Sequence, residues 1–215
     1  MHPRTRFPAV DPVTRRILVL FAHPSLDRSE VNRPLADAAA RLPNTEVVDL
    51  YAEYPTFHID VDREQARLVA ADVVVFLHPL YWYSTPAILK EWQDLVLEYG
   101  FAYGVEGHKL RGKTFFCAIS AGGPEAAYRE EGYNHFPIRQ LLAPLEQTAN
   151  LCGMLYLPPF ALFGSRRAAE DGRIPGHIAD FVRLLRALEE GRFDVDRARD
   201  LPHLNGYLDA LIREA

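Results

Sequence analysis

The sequence predicts a doubly wound α/β fold, in which a five-stranded parallel sheet with strand order 2-1-3-4-5 carries helices on both faces. Two observations lead to this prediction. Five apolar segments lack polar alternation, as strands buried on both faces do, and each is separated from the next by a segment with helical character. The chain has 215 residues, of which 48% are hydrophobic and 25% charged, which suits one globular domain.

The five predicted strands are apolar runs that are too short for helices and rich in β-branched and aromatic side chains. In chain order they are residues 15–23, 45–51, 73–77, 114–120 and 154–164. Pro158 and Pro159 interrupt the fifth run, so this strand is expected to be irregular.

The predicted helices fill the intervals between these strands and follow the last one. They cover residues 29–42, 62–71, 87–100, 137–153 and 177–191. The first is expected to begin near Asn32, because Pro34 suits a first helical turn, and the second to be capped by Asp62. The third is expected to close near Gly100, and Pro144 to kink or divide the fourth.

The two ends of the chain fall outside this alternating pattern. Residues 1–14 contain three prolines and little hydrophobic pattern, and we interpret them as an N-terminal arm. Residues 192–215 form a C-terminal extension in which apolar residues with helical spacing predict an amphipathic helix: Leu204, Tyr207, Leu208, Leu211 and Ile212. The core domain is therefore expected to span residues 15–191.

Composition excludes several classes of protein. The net charge of −5 does not fit a basic nucleic-acid-binding surface, so no nucleic-acid partner is expected. No apolar run reaches the roughly 18 residues that cross a bilayer, and the two cysteines lie in apolar contexts typical of reduced thiols. A cytoplasmic protein is predicted. The eight histidines show no metal-ligand spacing, and no metal site is assigned.

In an open parallel sheet, ligands bind beyond the carboxyl ends of the strands. The connection after the first strand places Ser25, Ser29 and Asn32 directly before a helix N-terminus. Exposed amides, a positive helix end and short hydroxyl side chains together favour a phosphate group. Ordinary capping of the helix by Ser29 or Asn32 explains the same residues equally well.

The connection after the third strand contains three consecutive aromatic residues, Tyr81, Trp82 and Tyr83, followed by Ser84, Thr85 and Pro86. Rigid aromatic side chains provide contact area for a flat conjugated ligand, and tyrosine and tryptophan keep a polar group for its edges. The alternative is that these aromatics merely cover a helix.

The connection after the fourth strand carries Gly122 and Gly123, at which a ligand can approach the backbone closely and backbone amides can meet charge developing on a ring oxygen. A plain tight turn is the alternative. Tyr128, Tyr133, Asn134 and His135 follow as polar groups able to line a pocket. A phosphate site, aromatic walls and a glycine pair together favour a mononucleotide with a planar ring, and flavin mononucleotide (FMN) fits best.

Several ordered motifs give this chain a family resemblance. The segments FAHPSLDRSEVN, HPLYWYSTPAILKEWQDLVLEYGFAYG with HKLRGK, SAGG and CGMLYLPPF resemble the flavodoxin-like NAD(P)H:quinone oxidoreductases, and most of all the ancillary subunits of glutathione-regulated potassium-efflux systems. The resemblance covers about residues 16–190 and implies a flavodoxin-like, FMN-binding domain. It also implies a homodimer that reduces quinones with NADH or NADPH, and a potassium-efflux antiporter as partner, which would bring this cytoplasmic protein to the membrane.

The resemblance implies roles for particular residues. His23 and residues Ser29, Glu30, Val31 and Asn32 match the phosphate and ribityl segment. Residues Leu80, Tyr81, Trp82 and Tyr83 match the segment under the isoalloxazine ring. Ser120, Ala121, Gly122 and Gly123 match a TTGG-like segment in which Ala121 replaces a threonine. Tyr128, Tyr133 and His135 are candidate catalytic residues, which would orient the substrate or supply a proton.

Three functions follow as hypotheses. In the first, the nicotinamide passes a hydride to the flavin and a quinone then takes two electrons in the same place. In the second, the protein regulates a potassium-efflux antiporter and its redox activity is secondary. The third is a one-electron flavodoxin carrier. This hypothesis is weaker, because such carriers tend to be shorter and more acidic than this chain.

Overall fold

The computed structural model describes residues 14–214, so the arm predicted over residues 1–14 lies outside the described part except for Thr14. Within the described residues six strands form one parallel sheet: Ile17–Phe21 (β1), Thr45–Asp49 (β2), Val73–Pro79 (β3), Thr114–Ala121 (β4), Leu155–Tyr156 (β5) and Phe160–Phe163 (β6). The order β2-β1-β3-β4-β5 confirms the predicted topology. The sixth strand, β6, pairs with a later part of β4 than β5 does.

The predicted fifth strand is therefore two short strands, β5 and β6, which both pair with β4. β5 pairs with Thr114 and Phe115 of β4, and β6 pairs with Ala118 to Ala121 of β4. Between them stand Pro158 and Pro159, which have no N–H group to donate to a sheet. The proline pair thus breaks the ladder without moving the chain away from β4.

Nine α-helices lie within the described residues. They are Asn32–Ala39 (α1), Leu50–Glu53 (α2), Val61–Ala70 (α3), Ala87–Val96 (α4), Ile138–Leu141 (α5), Ala143–Leu151 (α6), Ile174–Glu189 (α7), Val195–Ala198 (α8) and Leu208–Leu211 (α9). Within residues 14–214, no helix combines the length and the apolar character needed to cross a membrane.

Several helix boundaries differ from those predicted. The cap of α3 is Asp60, whose carboxylate accepts from the Arg63 amide at 3.1 Å, so the prediction of Asp62 was wrong; Asp62 lies in the first turn. α4 ends at Val96, and Gly100 instead closes a separate turn by donating to the carbonyl of Tyr103. Pro144 stands in the first turn of α6, where the predicted helix is divided.

Alternation along the central strands builds two hydrophobic cores, one on each face of the sheet. In β1, Leu18 and Leu20 pack on one face, and Ile17, Val19 and Phe21 on the other. Side chains of α3, α4 and α6 cover the first face, and side chains of α1 and α7 cover the second. Since fully burying a large apolar side chain contributes about 1.5–3 kcal/mol, these faces fix the sheet and the loops at its edge.

A buried carboxylate connects α3 to α4. Glu64 is fully buried and accepts hydrogen bonds from the Tyr54 hydroxyl at 2.7 Å and from Nε1 of Trp92 at 2.8 Å, and it pairs with Arg67. A buried carboxylate is tolerated only with such partners. This network ties α4, the helix that follows the aromatic connection, to α3.

The C-terminal extension packs on the domain. A helix was predicted across residues 204–212, but only Leu208–Leu211 is helical. Leu204, Leu208 and Leu211 are nevertheless buried in the second core, so the apolar spacing marks a packed segment with little regular structure.

Candidate functional site

A cleft of about 560 Å³ opens at the carboxyl edge of the sheet, within the usual range for small-molecule sites. The structure brings nine of the predicted residues to its lining: His23, Ser29, Glu30, Val31, Asn32, Leu80, Tyr81, Ser120 and Gly122. Three connections that are distant in sequence therefore meet around one space.

The connection after β1 forms a short 3₁₀-helix, Leu26–Arg28, and then enters α1. The buried hydroxyl oxygen of Ser29 accepts from the amide of Arg33 at 3.0 Å, so Ser29 does satisfy one amide of the helix N-terminus. The Ser29 hydroxyl still has a proton to donate, and the first turn of a helix leaves amides without partners inside the helix. Capping and anion binding are thus compatible here.

Asn32 joins the first connection to the third. Its side chain is almost fully buried, and its Oδ1 accepts from the Ser120 hydroxyl at 2.6 Å. Its Nδ2 is buried without a hydrogen-bond partner among residues 14–214. Because an unsatisfied buried donor costs about 1–3 kcal/mol, this amide group in the lining of a cleft points to an acceptor supplied by a ligand.

His23 is a buried neutral donor at the start of the cleft. Burial lowers the pKa of its imidazole. Its Nδ1 accepts from the amide of Ser25 at 3.2 Å, which leaves the proton on Nε2, 3.4 Å from the Tyr81 hydroxyl. The Tyr81 ring lies edge-on to the imidazole with ring centroids 5.9 Å apart. His23 therefore orients the first aromatic residue of the second connection.

The aromatic connection after β3 is a tight turn. Tyr81 and Ser84 exchange backbone hydrogen bonds of 3.1 and 2.9 Å, and the two residues between them, Trp82 and Tyr83, both have positive φ, of 50° and 62°. Two positive φ angles are typical of a type I′ turn, which favours asparagine and glycine. Bulky aromatic residues pay a conformational penalty in this region, and such strain is concentrated at functional sites.

This turn divides the predicted aromatic residues between two places. Leu80 and Tyr81 line the cleft, whereas Trp82 and Tyr83 stand beyond its rim, and Trp82 is 93% exposed. The hydroxyl of Tyr83 donates to Oδ1 of Asn134 at 3.1 Å. The second connection is thus tied to the loop that carries the candidate catalytic residues.

The end of β4 supplies the third wall. Ala121 is buried in the first core, so it can offer a ligand only its backbone. A Cβ at Gly122 would lie 3.5 Å from Nε of Arg166, and one at Gly123 would lie 3.2 Å from the Tyr133 hydroxyl and 3.4 Å from that of Tyr128. The missing side chain of Gly123 thus leaves room for two tyrosine hydroxyl groups.

The candidate catalytic residues occupy different environments. Tyr128 is buried, packs on Phe163 with ring centroids 5.4 Å apart, and has its pKa raised by that burial. Tyr133 is 69% exposed, with its hydroxyl near Gly123. His135 is exposed on the same loop and has φ of 60°. None of these three candidate catalytic residues is among the residues that line the cleft.

Sequence reasoning missed five lining residues: Asp27, Arg28, Pro79, Ser165 and Arg166. Ser165 and Arg166 follow β6, and the carboxyl end of this strand meets the same edge of the sheet as the other three. The fourth connection could have been found by applying the edge rule to the last strand as well.

Comparison with known proteins shows which family has this fold. A family model described as flavodoxin-like fold matches residues 15–185. The glutathione-regulated potassium-efflux system ancillary protein KefG of Cronobacter sakazakii is 49% identical over 154 residues, which are 72% of this chain and 84% of that protein.

Two solved structures are similar over most of the chain. General stress protein 14 of Treponema denticola, solved in complex with FMN, is 36% identical with a TM-score of 0.75, and the match covers 80% of this chain and 99% of that one. A protein from P. pentosaceus described as an NADPH-quinone reductase is 29% identical with a TM-score of 0.71, over 79% and 97% of the two chains. On its family match, its strand order and its close relatives, the chain belongs to the family of proteins with the flavodoxin-like fold.

Proposed function

We propose that this protein is an oxidoreductase that binds FMN in the cleft and uses it to reduce quinones with NADH or NADPH by two-electron transfer. The observation that carries the proposal is the convergence of four sheet-edge connections on one cleft. Its lining includes a buried amide donor, Nδ2 of Asn32, that has no partner within the described residues. The similarity to an FMN complex and to an NADPH-quinone reductase supports it.

The residues present fit such a cofactor. The Ser29 hydroxyl and the amides of Glu30 and Val31 suit the phosphate group, because they surround the N-terminus of α1. Nδ2 of Asn32 would meet a hydroxyl of the ribityl chain, with Ser120 holding the amide in place from its other side.

The planar ring would be held by the second and third connections. Leu80 and Tyr81 offer an apolar wall, and Trp82 and Tyr83 stand beyond it. Of the third connection, Gly122 lines the cleft and has no side chain, so its amide would suit an oxygen on which negative charge develops.

When bound, FMN would supply the hydride-accepting and hydride-donating chemistry. The protein would bind and orient the reactants. Tyr128 and Tyr133 place hydroxyl groups beside Gly123, where they can orient a carbonyl oxygen or donate a proton to it. We place His135 in the same role, with a longer reach from the surface of the loop.

A turnover assay tests this proposal. Purified protein supplied with FMN should oxidise NADH or NADPH only when a quinone is present, and should form the two-electron product without one-electron leakage to a cytochrome reporter. Wild-type protein that holds FMN but shows no quinone-dependent oxidation of either nucleotide would refute the enzymatic proposal.

A second proposed function rests on the relative KefG, named as the ancillary protein of a potassium-efflux system. Under this alternative the chain docks on the cytosolic face of an antiporter as a homodimer and activates it, with redox turnover secondary. Large exposed apolar side chains such as Trp82, Tyr99 and Val105 offer surface for such contacts.

Ion flux separates the two functions. The variant Tyr128→Phe/Tyr133→Phe is tested for retained flavin and lost turnover, and is then added to cells that express an antiporter of this kind. Efflux activated as by the wild type would favour regulation. Efflux lost together with turnover would favour the enzyme.

A further inference from the structure

We infer that Arg166 is a phosphate-binding residue of the cleft, which selects phosphorylated flavin over riboflavin. The inference rests on the proposed function. It adds a cation to a phosphate site for which the sequence indicated only hydroxyl groups, backbone amides and a helix N-terminus.

The position of Arg166 is fixed by the loop that carries it. Gly164, with φ of 61°, donates its amide to the carbonyl of Gly123 at 2.7 Å. Arg173 donates from its guanidinium group to the carbonyls of Phe163 and Gly164 at 2.8 and 2.9 Å. The 3₁₀-helix Ser165–Arg167 therefore starts from an anchored point beside the glycine pair.

The three arginines of this loop have different partners. Arg167 and Arg173 both pair with Asp171, at 3.7 and 3.4 Å. Within residues 14–214 Arg166 has no ion-pair or hydrogen-bond partner, and its Nε lies 3.5 Å from the Cβ position of Gly122. A guanidinium group that lines a cleft and is not neutralised by the protein is available for an anion.

The charges of the lining support the same conclusion. Two carboxylates, of Asp27 and Glu30, line the cleft together with two guanidinium groups, of Arg28 and Arg166. His23 adds no charge at neutral pH, since burial lowers its pKa. Without Arg166 the lining would carry a net negative charge, which would disfavour a phosphate dianion.

A second observation points to a ligand in the same place. Nδ2 of Asn32 is buried without a partner among the described residues, and Oδ1 of Asn32 accepts from Ser120, which lies two residues before Gly122. The unsatisfied donor and the free guanidinium group are therefore brought to one cleft by the end of β4. Hydroxyl groups and a phosphate on one molecule would satisfy both.

The test compares FMN with riboflavin, which lacks only the phosphate. Dissociation constants for both are measured by quenching of flavin fluorescence, with the wild type, Arg166→Gln and Arg167→Gln. The last variant is the matched control, because it removes the same charge from the neighbouring residue, which does not line the cleft. Equal melting temperatures of the apoproteins establish that all three fold alike.

We expect Arg166→Gln to weaken FMN binding by about tenfold or more and to leave riboflavin binding within about twofold, because a charge-assisted contact to phosphate is lost. Arg167→Gln should change neither. An FMN-to-riboflavin ratio that is unchanged by Arg166→Gln, or lowered equally by Arg167→Gln, would overturn the inference. A wild-type protein that binds neither flavin would instead refute the proposed function itself.

Discussion

Asn32 lies inside the protein, and only one of the two polar atoms of its side-chain amide is hydrogen-bonded to a described residue. Its oxygen accepts from Ser120 at 2.6 Å, while its nitrogen has no partner in the part of the chain that the structure describes. The sequence placed this residue at the start of a helix beside a phosphate site, which was a local inference. That it also reaches the end of β4 depends on the pairing of β1 through β3 to β4, and no local pattern encodes it.

Among the candidate catalytic residues, Tyr128 allows the sharpest prediction. The variant Tyr128→Phe should lower kcat for quinone reduction by about tenfold or more, because its hydroxyl group beside Gly123 is lost. Binding of FMN should be little changed. Tyr99→Phe, which alters an exposed tyrosine that packs on Tyr103 and not beside Gly123, is the control and should retain wild-type turnover.

The dependence of kcat on pH provides a second test of Tyr128. Burial raises the pKa of Tyr128 above its ordinary value of 10.0, so the hydroxyl stays protonated and able to donate at every lower pH. Wild-type kcat should therefore show no alkaline loss from this group below about pH 10. A Tyr128→Phe enzyme with unchanged kcat would remove Tyr128 from the mechanism.

At the scale of elements, the strands and most helices followed from apolar periodicity, but connections did not. The alternation of strands and helices predicts a parallel sheet with right-handed crossovers, whereas the order 2-1-3-4-5 was predicted because five such units fit the flavodoxin-like pattern. By contrast, the turn at Trp82 and Tyr83 carries none of the usual asparagine or glycine, and its positive φ angles run against local preference. Capping was likewise misassigned to Asp62, because both Asp60 and Asp62 are plausible caps until the helix start is known.

The strain in this turn can be measured with two substitutions. Trp82→Gly and Trp82→Ala remove the same exposed side chain, but only glycine adopts a φ of 50° without penalty. We expect the glycine variant to be about 1 kcal/mol more stable than the alanine variant in urea denaturation of the apoprotein. At an exposed position without a positive φ, the alanine variant is the more stable of the two. An alanine variant more stable than the glycine variant here would show that the turn is unstrained.

The C-terminal extension covers the edge of the sheet. Oδ1 of Asn205 accepts from the amide of Ala161 in β6 at 2.6 Å, and the amide of Leu204 donates to the carbonyl of Pro159 at 2.9 Å. An edge strand left open invites pairing with other chains. The family match ends at residue 185, before this extension begins.

Asn205→Ala should therefore destabilise the protein by about 1–3 kcal/mol, since it leaves the amide of Ala161 without its acceptor. Asp209→Asn is the control within the same segment. It weakens only the exposed pair with Arg183 and should cost less than about 1 kcal/mol. Equal stabilities of the two variants in thermal unfolding would argue that the extension does not protect the edge.

At the scale of the whole molecule, buried neutral histidines make stability depend on pH. Burial lowers the pKa of His78 and of His177 to about 4, and it also lowers that of His23. In the unfolded chain these groups take up protons below about pH 6.5. Because the unfolded state then binds more protons than the folded state, stability falls as the pH falls from about 6.5 towards about 4.

The expected loss is about 2 kcal/mol for each of His78 and His177 between about pH 7 and about pH 5. Denaturation of the wild type and of His177→Phe at both pH values measures it. The variant should lose about 2 kcal/mol less on acidification, whatever its stability at neutral pH. An identical loss in both proteins would show that His177 is not kept neutral by the fold.

The central claim is that one cleft, built by four sheet-edge connections, holds FMN in a form that NADH or NADPH can reduce. Anaerobic titration of the flavin-saturated protein with each nucleotide, followed by the visible absorbance of the flavin, tests it most directly. We predict that FMN binds in equimolar amount and that its yellow absorbance is bleached by an equimolar amount of NADH or NADPH. Protein that binds no FMN, or bound FMN that keeps its colour with both nucleotides, would contradict the account.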